Sequence, residues 1–260
     1  MTLGTMFYHD VPQSQPGANL KYVGDVATGY DAKREESPKW KAEQQIIEGM
    51  LSDLPRGAWV LDAPCGTGRF MQACADRDLI YRGLDISEDM IHQAMAKIGG
   101  QSPMARVTTD KGIVEFPQFM FQKGNVTEPG LPDKSIDAVL NIRITRWLSP
   151  QECQQMFKEM QRIARDRIIV TARVTYPNTP KRSAIDLAKL ARPLHLFEAV
   201  MADDWVLERS EAGYVPEYRI FQFRNKRSPF LAQKNIIIDT VKAADEAGGD
   251  QWTMKPYEAS

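Results

Sequence analysis

The sequence predicts an α/β fold built on a parallel sheet with helices on both faces. Three observations carry that expectation. Short apolar runs alternate with amphipathic stretches along most of the 260 residues, as a succession of strand, helix and strand requires. The run Trp59-Val60-Leu61 passes through Asp62 into a glycine-containing turn, Gly66-Thr67-Gly68, and a helical stretch with Phe70, Met71 and Ala73 follows from about Arg69. A second run, Tyr81-Arg82-Gly83-Leu84, ends in Asp85, 23 residues after Asp62. That is close to the ~20-residue spacing that puts an acid at the tip of the adjacent parallel strand.

In chain order, residues 1–36 are turn-rich (Pro12, Pro16, Gly17, Gly24, Gly29) and read as an irregular arm. Ser37-Pro38 supplies an N-cap and a first helical position, and Trp40, Ile46, Ile47, Met50, Leu51 and Leu54 form a helical stripe that stops before Pro55. After the second strand, Ser87-Glu88-Asp89 caps a helix whose buried face is Met90, Ile91, Ala94, Met95 and Ile98. Residues 99–117 read as a loop insertion. Phe119–Lys123, Ala138–Ile142 and Arg167–Ala172 are the third, fourth and fifth strands, and Ser149-Pro150-Gln151-Glu152 is a capping box that opens the helix between the last two. Lys181–Arg192 is predicted as a basic amphipathic helix, and Ile236–Ala247 as a helix in an extension over 228–260. The main domain therefore covers 37–227, and no internal repeat is present.

The turn after the first strand suits close approach by a ligand. Gly66 and Gly68 lack a Cβ, and the helix that follows aims its free N–H groups at the loop, which favours a carboxylate or phosphate. Asp85 at its spacing can accept both hydroxyls of a ribose, so the two elements together imply a nucleoside. A dinucleotide site would require a third glycine where Met71 stands. Each piece alone is also explained by packing or helix capping.

Asp62-Ala63-Pro64-Cys65-Gly66-Thr67-Gly68 resembles motif I of the class I S-adenosylmethionine-dependent methyltransferases, and Gly83-Leu84-Asp85-Ile86-Ser87 resembles their motif II. Gly124-Asn125-Val126 and Ser135–Leu140 follow where that family's third strand ends and fourth begins. The resemblance spans about 38–224. It implies a seven-stranded, mostly parallel, doubly wound sheet with the last strand antiparallel, its sixth and seventh strands being Trp205–Glu208 and Glu217–Phe223. It also implies S-adenosyl-L-methionine as cofactor, held by Asp62, Ala63, Pro64, Cys65, Gly66, Thr67, Gly68, Asp85, Ile86, Met90, Gly124, Asn125, Val126 and Asn141. Tyr30-Asp31 resembles the aromatic-acid pair that closes over the cofactor; packing of the arm is the other reading. Two positions depart from the pattern. Pro64 replaces the first glycine and removes an N–H, and Asn125 replaces an acid, offering its side-chain oxygen to the adenine amino group.

Composition narrows the rest. Lys and Arg number 33 against 34 Asp and Glu, which argues against a general polyanion binder. Cys65, Cys74 and Cys153, with three scattered histidines, suggest neither a disulfide framework nor a metal site. The start lacks a basic, apolar leader and no run reaches membrane-spanning length, so a cytoplasmic protein is expected.

Methyl transfer from a sulfonium needs mainly in-line placement of the acceptor, and a base only where the acceptor arrives protonated. Substrate belongs beyond the carboxyl ends of the fourth and fifth strands, where Asn141, Arg143, Arg146, Trp147, Arg173 and Tyr176 stand. Asn141, Arg143 and Tyr176 are the catalytic candidates. The stretch Asn141-Ile142-Arg143-Ile144 lacks the prolines that DNA amino-methylating relatives carry there, and Arg143 and Arg146 occupy the place of the acids of metal-dependent catechol-type relatives. The expectation is a metal-independent enzyme for a small-molecule acceptor, anionic if Arg143 or Arg146 grips it. Pairing of these arginines with acids such as Glu152 is the structural alternative. Two other readings stay open: a nucleic-acid methyltransferase, if Lys181, Arg182, Lys189, Arg192, Arg224, Lys226 and Arg227 form one face, and a non-catalytic cofactor-binding partner protein.

Overall fold

The computed structural model describes residues 22–34, 36–100, 102–109, 112–175, 191–193, 204–213 and 218–231. The expected helix over 236–247, Tyr176 and most of the expected basic helix lie outside them. In the arm a single helical turn, α1 (Asp25–Thr28), is followed by α2 (Pro38–Leu51), β1 (Trp59–Asp62), α3 (Met71–Ala75), β2 (Ile80–Asp85) and α4 (Glu88–Lys97). Then come β3 (Met104–Thr109), β4 (Gly112–Pro117), β5 (Phe119–Lys123), β6 (Ile136–Asn141), α5 (Pro150–Ile163) and β7 (Ala164–Thr175). The last elements among the described residues are β8 (Ala191–Pro193), β9 (Trp205–Ala212) and β10 (Tyr218–Asn225).

The sheet runs β5-β2-β1-β6-β7-β10-β9. Its first five strands are parallel, and β10 is antiparallel to both β7 and β9. This is the expected mostly parallel, doubly wound sheet with its last strand reversed. A short extra strand, β8, pairs in parallel with the end of β7, Arg173 opposite Ala191. The predicted helix therefore does not extend to Arg192.

Strand alternation divides the core in two. On β1 and β6, Leu61 and Val139 join Met156, Phe157 and Met160 of α5 on one face. Val60, Ala138 and Leu140 meet Ile47, Met50 and Leu51 of α2 on the other. The capping box is present, with Ser149 Oγ accepting from Glu152 N and Glu152 Oε2 accepting from Ser149 N. Ser87 caps α4 by accepting from Met90 N.

Three expectations need correction. Residues 99–117 are not a plain loop: β3 and β4 pair as an antiparallel hairpin, with Val107 opposite Val114. One face of this ribbon packs inward through Phe116 on Trp59, ring centroids 5.4 Å apart, while Met104 and Ile113 on the other are exposed. A ribbon covered on one side only has no continuous apolar run to announce it. The glycine turn also runs on to Phe70, so α3 begins at Met71 and has only five residues. Its dipole is correspondingly short, and within the turn the N–H groups of Cys65, Gly66 and Gly68 are taken by Leu84 O, Asp85 Oδ2 and Cys65 O. Met95 is exposed rather than part of the buried face of α4. Among the described residues, no helix is long and apolar enough to cross a membrane.

Candidate functional site

A cavity of about 300 Å³ opens at the carboxyl ends of β1, β2, β5 and β6, where a parallel sheet binds its ligands. One half is built from the two acids and the turn between them. The chain enters through a cis Ala63-Pro64 bond and turns at Gly66, whose φ of +53° is costly for any residue with a Cβ. Asp85 Oδ2 accepts from Gly66 N at 2.8 Å and its Oδ1 accepts from Ser87 N at 2.8 Å. The acid of β2 thus fixes the loop of β1 to the start of α4. The carboxylate also lines the pocket. Gly83 is needed for packing instead: a Cβ there would lie 2.8 Å from Phe121 and 2.9 Å from Cys65 Sγ.

Asp62 is fully buried in the pocket wall. Its Oδ2 accepts from the Tyr81 hydroxyl at 2.8 Å, and its Oδ1 has no hydrogen-bond partner. Burial pushes its carboxyl up to about 7, the Tyr81 hydrogen bond opposing and the Asp85 charge assisting. A buried, partnerless carboxylate oxygen is destabilising by itself, and a cationic donor from a ligand would relieve it.

The other half centres on Glu43, a residue of α2 that is 1% exposed. Its carboxylate receives Arg69 Nη1 at 2.7 Å, Arg143 Nη2 at 2.7 Å and Nε at 2.9 Å, and the Tyr218 hydroxyl. Burial alone would raise the Glu43 carboxyl, but Arg143 and then Arg69 outweigh it and hold it below the usual range. Arg143 adopts φ +62° with its N–H on Thr171 Oγ1 at 2.7 Å, a backbone conformation kept by these contacts. The arginine therefore pairs with a buried acid of α2, not with Glu152, whose carboxylate serves the capping box.

Aromatic rings continue the wall. Trp40, Tyr30, Tyr22 and Trp147 follow one another with centroids 6.1, 5.8 and 5.9 Å apart. The arm is tied across this half and the first: Gly24 N donates to Asp89 Oδ2 at 2.7 Å, and Thr67 Oγ1 donates to Asp31 Oδ1 at 2.6 Å.

Of the residues singled out from sequence, Tyr30, Asp62, Pro64, Cys65, Gly66, Thr67, Asp85, Ile86, Met90, Gly124, Asn125, Val126 and Arg143 line this one cavity. Ala63, Gly68 and Asn141 stand behind it. Asn141 is fully buried and donates from Nδ2 to Ala63 O, and a Cβ on Gly68 would lie 3.2 Å from Ala94. Asn125 Oδ1 accepts from Thr127 N at 3.0 Å, within its own turn. Tyr176 lies outside the described residues. Sequence reading missed Glu43, Tyr22 and Arg34. The signal for Glu43 was present, since it sits three residues after Trp40 and four before Ile47 on the buried stripe. Of the basic residues considered for nucleic acid, Arg224 is buried against Asp166 at 2.7 Å and Glu208 at 2.9 Å and Arg227 pairs with Asp204, while Lys181, Arg182, Lys189 and the side chain of Arg192 lie outside the described residues.

Residues 60–167 match the family model described as "Methyltransferase domain". No protein of curated function matches by sequence. Among solved structures, magnesium protoporphyrin IX methyltransferase (ChlM) from Synechocystis PCC 6803 with bound SAH is similar. It has 20% identity and a TM-score of 0.56, over 76% of this chain and 94% of that one. A SAM-dependent methyltransferase from Aquifex aeolicus aligns at 15% identity and TM-score 0.51, over 75% and 96%. The cyclase SpnF aligns at 15% and 0.60, over 83% and 97%. At these identities the structural likeness is one of fold.

Proposed function

We propose that this chain is a class I S-adenosylmethionine-dependent methyltransferase, as the match of residues 60–167 to the methyltransferase domain model supports, and that it methylates a small-molecule acceptor bearing an anionic group. The observation that carries the reading is the charge of the acceptor half. Arg34, Arg69, Arg143 and Arg146 line that end of the cavity, whereas Glu43 lies behind it and Glu152 is held in a cap. An excess of guanidinium in a partly closed pocket attracts an anion.

The residues present fit the cofactor. The partnerless Asp62 Oδ1 suits its ammonium group, the Asp85 carboxylate in the cavity wall suits the ribose hydroxyls, and Gly66 with Thr67 lets the backbone approach. Ile86, Met90, Gly124, Asn125 and Val126 form the wall for the base. When bound, the cofactor supplies an electrophilic methyl group on a sulfonium. Arg143 orients the acceptor, and Glu43 holds Arg143 in place. Asn141 acts from behind by fixing Ala63, and Tyr176, just past β7, is the remaining candidate for contact with the acceptor.

The test is methyl transfer from labelled S-adenosylmethionine to a panel of small acids and their neutral amides. Transfer to acids over their amides is expected, with Arg143→Ala lowering kcat/KM ten- to a hundredfold, about 1.4–2.7 kcal/mol, at unchanged cofactor affinity. Equal use of acids and amides would refute the anionic acceptor.

A further inference from the structure

Two arginines at the acceptor end are joined by an unbroken arc of rings. Arg143 Cζ lies 4.7 Å from the Trp40 centroid, the rings of Tyr30 and Tyr22 follow, and Trp147 ends the arc with Arg146 Cζ 4.8 Å from its own centroid. All six residues line the cavity.

An enclosure of aromatic rings by itself would suit a cation. Here guanidiniums already occupy the rings, with Arg34 3.7 Å from the Tyr30 centroid and Arg69 3.7 Å from that of Trp40. An incoming cation would meet like charge at Trp40, Tyr30 and Trp147. Arg146 differs from the others in its engagements. Arg69 gives Nε, Nη1 and Nη2 to Gln44, Glu43 and Trp40, and Arg143 gives Nε and Nη2 to Glu43. Arg146 is exposed and makes no hydrogen bond or ion pair among the described residues, so its whole planar fork is available to a ligand. A fork of that shape matches a carboxylate in bidentate fashion, and the rings beside it suit a planar apolar body.

We propose that the acceptor is an aromatic acid, its carboxylate on Arg146 and its ring against Trp147 and Tyr22. The proposal rests on the reading of this cavity as a methyltransferase acceptor site.

The experiment is calorimetry on the full chain, first with S-adenosylhomocysteine alone and then, at saturation, with benzoate, 4-hydroxybenzoate, hexanoate, benzamide and benzylamine. Both aromatic acids should bind, hexanoate at least tenfold more weakly, and the amide and amine not measurably. Arg146→Gln should weaken benzoate ten- to a hundredfold and Arg146→Lys less, with S-adenosylhomocysteine affinity and melting temperature unchanged because Arg146 is exposed. If S-adenosylhomocysteine binds but benzoate does not, or benzoate binds Arg146→Gln equally well, the aromatic-acid proposal fails alone. Hexanoate binding as tightly as benzoate would remove the ring from it. If S-adenosylhomocysteine itself does not bind, both readings fall together.

Discussion

Asp62 shows how one buried carboxylate links stability to ligand binding. Its pKa rises from 3.8 in an unstructured chain to about 7 here. The folded form therefore holds a proton that the unfolded form releases. That contribution to stability is fully present below about pH 3.8 and is lost as pH rises through about 7. The gap corresponds to at most about 4 kcal/mol. Without ligand, the protein should lose stability between pH 4 and 7, and Asp62→Asn should flatten that slope; parallel melting profiles for the two would exclude Asp62 as the source. A ligand ammonium on Oδ1 favours the charged carboxylate. S-adenosylhomocysteine should thus bind several-fold more tightly at pH 7.5 than at pH 6, a difference Asp62→Asn abolishes. Asp85→Ala combines two losses. The ribose loses its charge-assisted acceptors, weakening S-adenosylhomocysteine on the order of a hundredfold or more, and the N–H groups of Gly66 and Ser87 lose theirs. A drop of about 1–3 kcal/mol in stability should accompany the weaker binding.

At the scale of elements, the glycine turn is the part most legible from sequence. A Cβ on Gly66 meets only Met90 Cε, at 3.8 Å, so there is room for it in the wall. The obstacles are φ +53° and the space a ligand needs. Gly66→Val should therefore fold with a modestly lowered melting temperature and lose S-adenosylhomocysteine binding; normal binding would make the turn a packing device. The strands were legible because burial on both faces of a parallel sheet leaves near-continuous apolar runs, such as Ile168-Ile169-Val170, and the α5 start because Ser149 and Glu152 stand at fixed spacing. The β3–β4 hairpin was not, since residues such as Arg106 and Glu115 face solvent. Arg143 could be placed near the acceptor from its position after β6, but its partner could not be read, because Glu43 lies 100 residues away on a helix whose docking only the tertiary fold decides.

Across the whole molecule, α2 and β10 run side by side and carry a buried charge cluster at each end. At the ligand end Glu43 meets Arg69, Arg143 and the Tyr218 hydroxyl. At the far end Arg167 and Arg224 meet Asp53, Asp166 and Glu208, with Ser228 Oγ donating to Asp166. The eight residues from Glu43 to Leu51, where α2 ends just before Asp53, span about 12 Å as helix, and the six from Tyr218 to Arg224 about 20 Å as strand. The clusters are thus well beyond contact, and removing one partner from either should cost about 3–5 kcal/mol by leaving charge buried and unpaired. Their consequences differ. Glu43→Gln releases the guanidiniums of the acceptor half, so it should weaken acceptor binding as well as stability. Asp166→Asn should lower stability alone, with S-adenosylhomocysteine and acceptor affinities kept in the folded fraction. Sites this far apart with no shared partner add to within about 0.5 kcal/mol. Urea unfolding of the two single variants and the double variant measures this directly. A coupling well above that value would mean that α2 transmits strain along its length, so that the far cluster shapes the ligand site after all.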